Sequence, residues 1–121
     1  MGFDIAIEMN LSMDVATGKP YYYGKNFEHI YDISSIVVPE HLRIYLVGRG
    51  PIFHAYTSEF NYENRYNVSV SEFLEHYPSW DSVHEDYADH DYWTESDHNK
   101  FKELLEWCQK QPVSFNVSWS Y

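Results

Sequence analysis

Cysteine is almost missing from this chain: Cys108 stands alone in 121 residues, which excludes an internal disulfide or a thiolate metal cluster. Basic residues are scarce too, with eight Lys and Arg against nineteen Asp and Glu and a formal charge of −11. General electrostatic binding to nucleic acid needs a basic stripe that displaces counterions, and docking on an anionic membrane needs the same sign. Direct nucleic-acid binding and membrane docking are therefore both disfavoured. No apolar run approaches the ~20 residues of a membrane span, and no basic segment followed by an apolar one opens the chain. The expectation is a cytoplasmic protein, in which the sequons at Asn10, Asn67 and Asn116 carry no glycan.

Linear catalytic motifs are lacking as well. There is no G-x-S-x-G, and Gly18-Lys19 runs into Pro20 where a phosphate-binding loop needs Ser or Thr. Ala88 occupies the place of the second histidine after His84-Glu85, so no H-E-x-x-H zinc motif forms. Gly48-Arg49-Gly50-Pro51 reads as a helix stop and tight turn rather than an anion site.

What the chain does have is rings and acids. Twelve Tyr, seven Phe and four Trp point to a core built on aromatics as well as aliphatics. The acids are unevenly placed. Residues 66–99 hold nine carboxylates (Glu72, Glu75, Asp81, Glu85, Asp86, Asp89, Asp91, Glu95, Asp97), four histidines and no Lys or Arg.

Periodicity supplies the scaffold. Phe3, Ile5, Ile7, Met9 and Leu11 alternate with polar or small residues, the pattern of a strand with one wet face. Asp14–Pro20 carries turn chemistry, and Tyr21–Tyr23 returns as the second strand of a hairpin. A short helix capped by Asn26 is expected through Ile33, and another from Pro39 to Gly48, where Leu42, Tyr45 and Leu46 fall at helical spacing. The long connection 49–67 has room for an edge strand near Ile52–Tyr56.

Ser69 with Glu72 forms a capping box for a helix that Pro78 stops, and Ser79 caps a second. Thr94 and Asp97 open a third, whose buried face is Phe101, Leu104, Leu105 and Cys108, an inert position for the thiol. Past Pro112, the residues Val113, Phe115, Val117 and Trp119 alternate with polar ones as a last strand. The fold class is α+β: one domain with a small antiparallel sheet that includes the N- and C-terminal strands, and helices packed on one face.

In the second helix Asp81, Glu85 and Asp89 recur every four residues, opposite Trp80, Val83 and Tyr87. Like charges one turn apart cost a helix about 0.2–0.5 kcal/mol per pair, so local stability does not account for them. The alternative to a solvated, solubilising face is a surface for a basic partner protein, with Glu72, Glu75, Asp81, Glu85, Asp86, Asp89, Asp91, Tyr92 and Trp93 as its residues and Tyr77 and Tyr87 as further exposed anchors. Small acidic chains with many rings resemble, in composition alone, accessory proteins of phages and mobile elements that block host machinery. The first expectation is thus a non-enzymatic interaction protein, an inhibitor or nucleic-acid mimic, with no cofactor. The second is a small enzyme or ligand-binding domain using Asp86, His90 and His98, with or without a divalent metal. Homo-oligomerisation through Tyr and Trp faces is a third.

Overall fold

The computed structural model describes residues 4–49, 67–86 and 93–120, without the side chains of 4, 5, 47–49, 84–86 and 120. Its centre is an antiparallel four-stranded sheet of β1 (Asp4–Met9), β5 (Val47–Arg49), β6 (Asn67–Ser69) and β7 (Phe115–Ser120), in the order β5-β1-β7-β6. The first and last strands pair along their whole length, from Asp4 opposite Ser120 to Met9 opposite Phe115. Alternation determines which face is covered. Ile7, Val68, Phe115, Val117 and Trp119 are buried, while Glu8, Asn67 and Ser69 are exposed. A sheet wet on one side needs only one layer of helices, and this one is covered on its apolar face.

At Asn10 the chain leaves that sheet for a second one of β2 (Leu11–Met13), β3 (Pro20–Tyr23) and β4 (His29–Ile30). Backbone bonds stitch the two together: Asn10 N donates to Ser114 O at 3.3 Å, Tyr23 N to Asn10 O at 3.0 Å and Ser114 N to Tyr23 O at 2.9 Å. The β2–β3 turn is the expected one. Asp14 Oδ1 accepts from Ala16 N, and Gly18 takes φ 72°, a left-handed conformation that costs glycine little.

Two expected helices are not α-helices. From Asn26 to Ile33 the chain makes a hairpin turn and β4. Gly24 N donates to Glu28 O at 2.8 Å, and Phe27 adopts φ 63°. Tyr22 pairs with Ile30, and the Tyr21 ring stacks on His29 at 3.9 Å. These cross-strand contacts outweigh the helical tendency expected from the Asn26 cap and the spacing of Phe27, Ile30 and Tyr31. From Glu40 to Tyr45 the helix is of the 3-10 type, with Pro39 as its cap and Leu46 N bonding Arg43 O at 3.2 Å. A three-residue turn places Leu42 and Tyr45 on the same buried side and leaves Ile44 exposed. Gly48 does not close this helix but lies in β5 opposite Ile5.

The remaining helices follow their caps. Here they are α1 (Val70–Glu75), α2 (Trp80–Asp86) and α3 (Glu95–Gln109). Ser69 Oγ accepts from Glu72 N at 3.1 Å and Ser79 Oγ from Ser82 N at 3.2 Å. Phe73, Phe101, Leu104 and Leu105 lie wholly inside, each burial contributing about 1.5–3 kcal/mol. Beside them Cys108 is buried, and desolvation pushes its thiol up to about 12, out of nucleophilic reach at neutral pH. No helix among the described residues is long and apolar enough to cross a membrane. The connection proposed to carry a strand at 52–56 lies outside the described residues.

Candidate functional site

The described part of the acidic segment consists of α1, α2 and the start of α3. Among the described side chains of these helices Phe73 and Val83 are buried, whereas Glu75, Asp81 and Glu95 are exposed and Glu72 is half-buried. Glu75, Asp81 and Glu95 make no ion pair with any described lysine or arginine. The side chains of Glu85 and Asp86, and the whole of Tyr87, Asp89, His90, Asp91 and Tyr92, lie outside the described residues.

Asp97 differs from its acidic neighbours because it is committed to structure. Its Oδ2 accepts from Thr94 N at 2.9 Å while Thr94 Oγ1 accepts from Asp97 N, a reciprocal box that closes the first turn of α3. Its Oδ1 accepts from the Tyr45 hydroxyl at 2.6 Å. Partial desolvation raises the Asp97 pKa, but the Tyr45 and Thr94 bonds, helped by Lys100, outweigh it and leave the carboxyl below its usual value. The same contact acts on Tyr45, whose hydroxyl is pushed up to about 12 by desolvation first and then by Asp97. Nothing in the local pattern points to Tyr45 as a partner of Asp97, since 52 residues separate them.

Two rings expected at the surface are turned inward, which removes them as exposed anchors. Trp93 is only 7% exposed, set edge-on to Tyr45 at 6.0 Å and Phe101 at 6.1 Å. Tyr77 is half-buried, and its hydroxyl donates to His98 O at 2.6 Å. Burial pushes the Tyr77 pKa strongly upward, and Lys102 Nζ lies 5.8 Å from the ring centroid. The indole and phenol meet α3 because that helix exposes a continuous apolar stripe, and covering it with aromatic area stabilises more than leaving the rings in water.

Of the residues proposed to hold a metal, only His98 has a described side chain. It is 3% exposed, packed against Tyr77 at 4.9 Å and Trp80 at 5.6 Å. Its Nε2 lies 2.9 Å from the carbonyl oxygen of Pro78. A carbonyl only accepts, so Nε2 carries the proton and Nδ1 presents a bare lone pair. That Nδ1 is buried with no hydrogen-bond partner among the described residues. Desolvation, first among the influences, lowers the His98 pKa and keeps the ring neutral. A neutral imidazole whose Nε2–H is anchored to a backbone carbonyl is chemically able to ligate through Nδ1. However, among the described residues no group of three or more His, Cys, Asp or Glu side chains is placed to hold a metal ion.

No protein-family model, no curated protein and no solved structure matches the chain.

Proposed function

We propose that the protein is a non-enzymatic interaction domain acting in the cytoplasm, which presents the carboxylates of residues 72–95 to a basic surface on another protein, as an inhibitor or nucleic-acid mimic does. The observation that carries this reading is the outward display of Glu75, Asp81 and Glu95 with no described lysine or arginine paired to them. Such carboxylates add their fields instead of cancelling them, and a field of one sign steers and holds an opposite one. The internal commitment of Trp93 and Tyr77 shifts the weight of the contact from rings to charge. It also takes two large rings away from any self-association surface.

Charge-led binding has a distinct salt signature. Protein immobilised on beads should retain a partner from lysate at about 0.1 M salt and release it near 1 M, where the screening length falls to about 3 Å. The variant Asp81→Asn/Glu85→Gln/Asp89→Asn should retain it poorly even at low salt. Retention that is indifferent to both salt and the triple variant overturns the proposal.

A further inference from the structure

We infer that the groove between the end of α3, the start of α1 and the β3–β4 turn is a binding site for a small phosphomonoester with an apolar ester group. The groove encloses about 540 Å³, within the range of small-molecule sites. Its described lining holds two lysines, Lys25 and Lys110, and no acid. In a chain of nineteen acids and eight bases, a cavity lined with cations and no carboxylate runs against the composition.

The cations reach the groove from separate elements. Lys25 follows Gly24, whose bridge to Val113 brings the β3–β4 turn against the root of β7. Lys110 is the C-cap of α3. Neither makes an ion pair with a described carboxylate. Glu28, in the same turn as Lys25, folds its carboxylate back onto Gly24 and accepts from Asn26 N at 3.4 Å. Two of the last carbonyls of α3 already accept bonds from within the chain: Trp107 O from Lys110 N and Gln111 Nε2, and Cys108 O from Gln111 N.

Two of the neutral lining groups have the same polarity. Ser69 Oγ accepts from Glu72 N and Ser71 Oγ accepts from Gln109 Nε2 at 3.3 Å, so each hydroxyl keeps its own proton to donate. Two ammonium groups and two hydroxyl donors match a dianion that is rich in acceptors, and lysine binds phosphate as a compact point charge. Val70 and Phe115 add an apolar part to the lining that inorganic phosphate cannot use. A phosphomonoester carries close to two charges near pH 7.5.

Amide shifts followed by NMR during titration with phenyl phosphate test this site. Saturable binding with Kd at or below about 1 mM is expected, with shifts confined to residues around Lys25, Ser69, Ser71, Gln109 and Ser114. Lys25→Gln/Lys110→Gln, at two exposed positions, should weaken it at least about tenfold, whereas Lys19→Gln/Lys100→Gln should leave it unchanged. Three results overturn the inference: no saturation, equal affinity in the Lys25/Lys110 variant, or inorganic phosphate binding as tightly as phenyl phosphate.

Discussion

His98 shows how one buried atom sets a condition on the whole molecule. Its Nε2–H holds Pro78, the joint between α1 and α2, while Nδ1 has no donor among the described residues. Protonating that nitrogen buries a charge between Tyr77 and Trp80, with Lys102 opposing it and Glu95, at the helix start, favouring it. The folded pKa therefore lies below the unfolded value of about 6.5. The native state binds fewer protons than the unfolded one, so this residue's contribution to stability is complete above that pH and declines as pH falls toward the folded pKa. The decline is at most about 1.4 kcal/mol per pH unit for one proton. Urea unfolding between pH 7.5 and 5.5 should show a steeper acid-side loss for the wild type than for His98→Gln, whatever the absolute stability of the variant. Parallel curves for the two proteins would mean that His98 takes up its proton without penalty.

At the level of elements, helix ends carry the most readable information. The Thr94–Asp97 box positions the start of α3, the helix on which Tyr77, Trp93 and Phe73 pack. Removing the hydroxyl in Thr94→Ala frees the Asp97 N–H and loosens the Tyr45 contact, so a loss of about 1–2 kcal/mol is expected. Thr94→Ser, which keeps the oxygen, should recover most of it by the same urea midpoint. Caps at Ser69, Ser79 and Thr94, the Gly18 turn and the alternation of β1 and β7 were all legible because each depends on neighbours in sequence. The hairpin at Gly24–Ile30 was not, since the pairing of Tyr22 with Ile30 and the stacking of Tyr21 on His29 are made across strands. For the same reason the acids of the candidate site could be read from composition, but the inward turn of Trp93 and Tyr77 could not. Their partners, Tyr45 and the His98 carbonyl, are brought to them by the fold.

Across the whole molecule the charge of −11 acts as a single term. No described lysine makes an ion pair with a described carboxylate: Lys102 sits over the Tyr77 ring, and Lys25 lines a groove whose described lining holds no acid. The His41–Glu103 contact at 3.4 Å joins two side chains that are more than half exposed, and such pairs contribute little. Folding therefore concentrates like charges, and the unfolded chain, being larger, relieves them. Salt screens the compact state more than the expanded one, so NaCl should stabilise this protein. Between about 20 mM and 500 mM, a rise of about 0.5–1.5 kcal/mol is expected from a few like-charge neighbours at 0.2–0.5 kcal/mol each. Chloride suits this measurement, because sulfate strengthens apolar burial on its own account. The triple variant Asp81→Asn/Glu85→Gln/Asp89→Asn should show a smaller rise, having fewer charges to screen. A urea midpoint that falls with NaCl would require the opposite electrostatics, in which the acidic segment is held by cations of its own chain, and a surface already neutralised from within has no field left to offer a basic partner.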